Sequence, residues 1–374
     1  MIPLFNVAMS EREAVDRVAA VIVGRRLEHG PVVAEFEGAL AGALGNPRVV
    51  ALNSGSSALH LSIDLVTRRM AQNEGPGEVL CTPLTFEGTN WPVLANGQRI
   101  RWVDVDPATL NMDPDDLARK ISPATRAILV VHWTGYPADL NGIRAVVEEA
   151  HARFGTRPVI IEDCAQAWGA TYRGAPLGNH GNICVFSFGA LKMLTCGSGG
   201  LLVLPDDDLY ERARSRRFYG IDRRSDRTYG DYDVAEWGYR FYLNDIAAAV
   251  GLANFSSVEE LLARHRENAA HYDKELAGLA GLELTERADD REPSFWVYPA
   301  KVDNRESFMR TLAGAGIATS IISRRNDAHS CVAASGTTLP GLDSVYDRVV
   351  YLPVGWWLSE QDREHIVDTI RSGW

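Results

Sequence analysis

A lysine, an aspartate and a glycine–serine turn are the groups in this chain whose types and surroundings could do chemistry together. Lys192 sits in Phe188-Gly189-Ala190-Leu191-Lys192-Met193-Leu194-Thr195-Cys196-Gly197, between an apolar run and a glycine cluster. Desolvation disfavours an ammonium there, so the amine loses its proton easily and can condense with an aldehyde. The plainer reading is a stem packed on apolar surface with its head in water. Asp163 follows Val159-Ile160-Ile161-Glu162 at the carboxyl end of an expected buried strand, where open α/β sheets place ligand groups. A buried carboxylate needs a positive partner to stay ionised, and a protonated ring nitrogen would serve. A helix-capping aspartate in a strand–helix loop is the alternative, and Glu162 alternates to the other face as a structural residue. The turn Asn53-Ser54-Gly55-Ser56-Ser57 opens an expected helix. Its N–H groups, hydroxyls and helix dipole would converge as a phosphate cradle, although most such turns only cap helices. A cofactor with an aldehyde, a ring nitrogen and a phosphate, such as pyridoxal 5'-phosphate, would engage all three.

To bring these groups together the chain must alternate buried strands with helices. Short apolar runs at 49–52, 78–82, 100–103, 127–131, 159–162, 183–188 and 200–204 read as strands, and 58–69 and 143–153 read as intervening helices. The pattern argues an α/β domain around a largely parallel sheet. One strand, 183–188, separates Asp163 from Lys192, so both can converge on one cofactor, and Ser187 near its end adds a hydroxyl. Upstream, 10–23 reads as an amphipathic helix with Ser10 and Glu13 at capping-box spacing, and 31–44 as a second helix with Phe36, Leu40 and Leu44 on one face. The segment 216–236, rich in arginine, aspartate and tyrosine, reads as a long functional loop. A long helix, with room for a bend, is expected over 244–277. From about Phe295 a smaller α+β unit follows, with strands at 296–302 and 318–322 and helices at 305–315 and 360–371. The expected domains are a large α/β cofactor-binding domain, 1–254, and a smaller α+β domain, 255–374.

The 374 residues are 46% hydrophobic and 23% charged, enough for a large core, and the net charge of -11 leaves no basic stripe for nucleic acid. No run of about 18 apolar residues predicts a membrane span. The five cysteines are odd in number and widely spaced, without Cys-x-x-Cys. They read as free thiols of a cytoplasmic protein, with no metal site.

The joint pattern Asn53-Ser54-Gly55-Ser56, Glu162-Asp163-Cys164-Ala165-Gln166 and Ser187-Phe188-x3-Lys192 resembles the DegT/DnrJ/EryC1/StrS family of pyridoxal-phosphate sugar aminotransferases over nearly the whole chain. The resemblance implies a fold type I transferase with a mostly parallel mixed sheet. It implies that Lys192 carries the cofactor aldehyde and then shuttles a proton, and that Asp163 pairs with the ring nitrogen. It places Gln166 by the phenolic oxygen, Gly55, Ser56 and Ser187 at the phosphate, and Phe86 stacked on the ring. It also implies a homodimer with a shared site, L-glutamate as amino donor and a nucleotide-linked keto-sugar as acceptor.

This chain departs from the family pattern in places. Arg240, in Gly238-Tyr239-Arg240-Phe241-Tyr242, stands where the family has an asparagine that reaches the neighbouring subunit's phosphate. We expect the arginine, a stronger phosphate ligand, to cross the interface in the same way, against the alternative of a surface ion pair. Ser198 replaces a glutamate after the lysine. The segments holding Arg223 and, further on, Arg324, Arg325 and His329 are candidates for a substrate pocket that grips a diphosphate, with solvated loop charges as the alternative. His132, after a strand, is either a substrate-side residue or a satisfied interior histidine. Trp356 and Trp357 are expected to pack the small domain. The expected function is therefore transamination of a keto-sugar. A cyclitol ketone acceptor and a catalytically silent regulator or scaffold are the alternatives. Retention of Lys192 argues against relatives that dehydrate a deoxysugar with a histidine at that position, and the intact Lys192, Asp163 and Gln166 argue against the silent class.

Overall fold

The computed structural model describes residues 1–222, 232–332 and 336–374, with side chains for all of these but 69–74. Helices α1 (Glu11–Val23) and α2 (Pro31–Leu44) lead into β1 (Val49–Leu52) and the long α3 (Gly55–Glu74). Strands and helices then alternate through β2 (Glu78–Cys81), α4 (Glu87–Ala95), β3 (Arg99–Trp102), α5 (Pro114–Lys120), β4 (Thr125–Val131), α6 (Leu140–Phe154) and β5 (Val159–Asp163). The short β6 (Thr171–Tyr172) and β7 (Ala175–Pro176) precede β8 (Ile183–Ser187), β9 (Gly200–Val203), α7 (Asp207–Arg216), α8 (Asp245–Phe255) and α9 (Val258–Glu275). The remainder holds β10 (Leu282–Leu284), β11 (Arg291–Glu292), β12 (Tyr298–Val302), α10 (Arg305–Gly314), α11 (Pro340–Val345), β13 (Val349–Leu352) and α12 (Glu360–Arg371).

Seven strands form the main sheet in the order β1-β9-β8-β5-β4-β2-β3. All neighbours are parallel except at β9, which runs antiparallel to both β1 and β8. The strands are apolar on both faces because both are covered. In β4, Ala127, Leu129 and Val131 face the core under α3, whereas Ile128 and Val130 face α5 and α6. Helices α2 and α8 cover the β1-β9-β8 end through Phe36, Leu40, Ala248 and Leu252. Because β1 opposes β9 and β9 opposes β8, β1 shares the direction of the parallel strands. The carboxyl ends of β1, β2, β4, β5 and β8 therefore lie along one edge, the edge that must hold the chemistry.

A second sheet, β10-β12-β13, is antiparallel and packs under α9, α10 and α12. Its other side, including Val349 and Tyr351 with the preceding Trp296 and Val297, joins the large core beneath α3. A small β11-β6-β7 sheet had no counterpart in the sequence reading. Three expectations need correction or refinement. Ser10 stands at the start of α1 without a side-chain cap bond, and its hydroxyl meets that of Ser257 at 3.4 Å. The expected long helix is two, α8 and α9, with a 57° bend between them. The segment 318–322 is no strand: Ser320 makes a single bridge to Tyr351, and Ile322, at φ +60°, breaks the extended run.

Candidate active site

The strand ends and the second unit enclose a cavity of about 440 Å³. At one end, Ser54 Oγ accepts the Ser57 N–H at 3.0 Å and starts α3, whose first turn lines the cavity with Gly55 and Ser56. Ser187, the last residue of β8, brings its hydroxyl to the same place. A Cβ on Gly55 would lie 2.8 Å from Ser187 Cβ and 3.1 Å from its Oγ, so only glycine lets helix and strand end approach this closely. The hydroxyls and the positive end of a 20-residue helix together make an anion cradle.

Asp163 is buried at the end of β5 and lines the same cavity. Its Oδ2 accepts the Thr89 hydroxyl at 2.7 Å, and its Oδ1 accepts the Ala165 N–H at 2.9 Å. Burial nevertheless pushes the carboxyl above its usual value, against these bonds and the charge of Lys192. A further cation is what such a group lacks. Lys192 is half-buried in the turn after β8. Burial lowers its ammonium from 10.5 to about 8, with Asp163 pulling the other way. Gln166 accepts the Thr134 N–H on Oε1 at 2.7 Å, which turns its amide nitrogen into a donor for the cavity. Phe86 stands before α4 with 58% of its surface exposed and lines the cavity wall. A phosphate, a ring nitrogen and an aldehyde thus each meet a matching group, and the residues present fit pyridoxal 5'-phosphate.

Other candidates lie elsewhere. His132 is not at the cavity wall. It is fully buried, its Nδ1 accepts the Ala138 N–H at 3.0 Å, and its Nε2 donates to Glu162 at 2.9 Å. Burial pushes the Glu162 carboxyl up, but His132 and Asn182 outweigh it and hold the group below its usual value. Glu162 is thus an interior residue, and His132 is its partner. Arg325 is turned away by counterions, Asp327 at 2.8 Å and Asp343 at 2.5 Å. Arg324 binds the Ala328 carbonyl at 3.0 Å, and His329 sits 3.3 Å from Glu87 beside Trp91. Among the described residues that line the cavity there is no arginine. Arg223 lies outside the described residues. Arg240 is exposed, 3.3 Å from the Tyr242 hydroxyl and 3.8 Å from Glu28, on a separate hollow of about 200 Å³ with Asn53 and Asn244.

Sequence reasoning missed Thr89, Phe5 and Trp296, all of which line the cavity. Thr89 had a usable signal: it lies three residues after Phe86, so the first turn of α4 delivers both to one wall. Phe5 and Trp296 carried none, because they enter from distant segments.

A parallel-edge cavity shared by a depressed lysine and a buried aspartate, closed by a smaller α+β unit, defines a fold type I pyridoxal-phosphate-dependent aminotransferase. The chain belongs to the DegT/DnrJ/EryC1/StrS aminotransferase family, whose model matches residues 9–371. It is 68% identical to the sugar aminotransferase CalS13 from Micromonospora echinospora, whose crystal structure superposes with a TM-score of 0.97 over 100% of both chains. AtS13 from Actinomadura melliaura is 63% identical, with a TM-score of 0.97 over 100% of this chain and 99% of that one. The dTDP-4-dehydro-2,3,6-trideoxy-D-glucose 4-aminotransferase of Saccharopolyspora spinosa is 30% identical over 95% of this chain and 92% of its own.

Proposed function

We propose that this aminotransferase moves an amino group from L-glutamate to the ketone of a nucleotide-linked sugar, with pyridoxal 5'-phosphate anchored on Lys192. The observation that carries the reading is the pairing of Lys192 and Asp163 on one cavity, close enough for each to shift the other's ionisation. The sugar acceptor is supported by two relatives, CalS13, titled a sugar aminotransferase, and the Saccharopolyspora enzyme, named for a nucleotide-linked keto-sugar.

When bound, the cofactor supplies an electron sink for the carbon that carries the amino group. Asp163 keeps the ring nitrogen protonated, since a buried carboxylate and a cation stabilise each other's charge. Ser56, Ser187 and the amino end of α3 would hold the phosphate, Phe86 would cover the ring, and the Gln166 amide would donate to the ring oxygen. Lys192, once its amine is free, takes the Cα proton of glutamate. In the second half-cycle it returns a proton to the former ketone carbon of the acceptor. A value of about 8 suits both duties, because the best acid–base group titrates near the working pH.

Arg240 enters this reading as a residue that serves the partner copy of a homodimer. Its exposed guanidinium beside Asn53, at the outer end of the phosphate turn, is in keeping with that role. Arg240→Ala with unchanged cofactor affinity would refute it. The four buried thiols, Cys81, Cys164, Cys184 and Cys196, suit a reducing compartment, and the cytoplasm is the proposed location.

The test is direct. Purified protein given pyridoxal phosphate should develop a visible band. L-glutamate should bleach it with release of 2-oxoglutarate, and a nucleotide-linked keto-sugar should restore it. Lys192→Ala should abolish the cycle. No 2-oxoglutarate from wild-type protein would sink the reading, and restoration by a cyclitol ketone but by no nucleotide-sugar would reassign the acceptor.

A further inference from the structure

Trp296 has no role in the chemistry described so far, yet it touches the reacting amine. The Lys192 Nζ lies over its ring, 4.1 Å from the centroid. The indole N–H donates to the Leu191 carbonyl at 2.7 Å, tying down the peptide next to the lysine. Phe5, from the chain's amino end, stacks on the same indole at 4.7 Å. The backbone that aims this side chain is itself constrained. Phe295 takes φ +51°, a left-handed conformation that a bulky residue adopts only when its surroundings impose it. Three bonds impose it: Ser294 N–H to the Gly135 carbonyl at 3.0 Å, Trp296 N–H to the Thr134 carbonyl at 3.0 Å, and His265 Nδ1 to the Phe295 carbonyl at 2.7 Å. Strain is thus held at the residue that swings the indole into the cavity.

We propose that Trp296 is a positioning residue for Lys192: its ring face seats the lysine head whenever that amine is not bonded to cofactor, and its negative face favours the protonated form. This rests on Lys192 being the reacting amine. An ammonium is attracted to the face of an indole and a neutral amine is not, so the contact opposes the burial that strips the proton. The titratable groups that share the walls around Lys192, among the described residues, are Asp163 and His265. Burial holds His265 down at about 4, so it stays neutral through the range in which the lysine titrates. Asp163 favours the ammonium as Trp296 does, which is why the indole must be varied with the carboxylate left in place.

The experiment uses cofactor-free, full-length protein carrying tryptophan or its mono- to tetrafluorinated analogues at position 296. Fluorine drains the ring face without changing its shape. The pH dependence of Lys192 modification by a small amine-selective reagent is read by peptide mapping. The midpoint should fall stepwise with fluorination, by ~0.5–1 pH unit for the most fluorinated ring. A midpoint that stays constant across the series would overturn the proposal. A second variant, Trp296→Phe, keeps an aromatic face but loses the bond to Leu191. Because phenylalanine offers a weaker face than tryptophan, this variant should lower the midpoint by about as much as the first fluorine does, while lowering kcat of the glutamate half-reaction about tenfold at unchanged KM, and a kcat equal to wild type would remove the tie at Leu191 from the proposal. Labelling needs no turnover, so a failure of transamination and a failure of this proposal show up in different measurements.

Discussion

Replacing Lys192 with methionine should stabilise the cofactor-free protein at neutral pH while destroying its activity. The step in the lysine's value from 10.5 to about 8 means that the folded state binds its proton more weakly than the unfolded chain does. At ~1.4 kcal/mol per tenfold change this costs the fold ~3 kcal/mol wherever the group is charged in both states. Methionine keeps the stem's volume and removes that cost, which is already net of the ammonium's attraction to Asp163 and is reduced by solvent screening because Lys192 is only half-buried. The net gain should be about 1–2 kcal/mol at pH 7. The sign of its pH dependence follows from linkage. Between about 8 and 10.5 the unfolded chain holds the extra proton, so wild-type stability rises with pH across that window. The methionine variant has no such rise, and its advantage should vanish above the window. Urea unfolding of both cofactor-free proteins at neutral and strongly alkaline pH measures this. A variant no more stable than wild type at pH 7, or an advantage that persists at high pH, would show that the lysine is not desolvated and would remove the physical basis for its reactivity.

Asp163→Asn should fold normally, because its Oδ1 can still accept the Ala165 N–H while its Nδ2 donates to the Thr89 hydroxyl, which can turn its own proton to Thr85. It should lower kcat by ~100-fold or more, since a neutral group no longer holds the ring nitrogen's proton. Release of 2-oxoglutarate from glutamate reads it. Gly55→Ala places a Cβ 2.8 Å from Ser187 Cβ, a misfit of about 1–3 kcal/mol, and should weaken pyridoxal phosphate binding ~10-fold in equilibrium dialysis. Glu162→Leu leaves the buried His132 Nε2–H and the Asn182 amide without their acceptor and should cost ~3 kcal/mol in thermal or urea unfolding, with KM for glutamate unchanged. Because the Glu162 carboxyl is held below its usual value, its stabilising contribution is present at neutral pH and is lost only as the pH falls through the folded-state value.

What could be read from the sequence was whatever rides on a local code. Strand β1 and helices α2 and α12 begin and end where their apolar patterns do. Gly55, Asp163 and Lys192 each occupy a strand end or turn whose chemistry is written within a few residues of them. The failures share the opposite property. Whether His132 faced the cavity was decided by Glu162, which lies on the neighbouring strand, β5, and claims its Nε2. Arg325 had its guanidinium drawn off by Asp327, visible two residues away, and by Asp343, which only the fold brings near. The two-residue strands β6, β7 and β11 are too short to show a period at all.

Trp296 makes the same argument from the side of function. It reaches the lysine turn from 105 positions further along the chain, through a left-handed residue that no propensity favours. Its neighbours Phe295 and Tyr298 are ordinary core aromatics, so nothing local distinguishes it from them. The apolar reading of that segment found the strand but began it at 296, two residues before β12 starts at Tyr298, and was silent about the ring that faces the amine. Burial lowers the lysine's value and Asp163 tempers the fall; on the proposal above, an indole from the small unit adds to that opposition. An enzyme of this design can retune its reacting amine by substitutions in the 294–296 turn without altering any residue of the cofactor motifs.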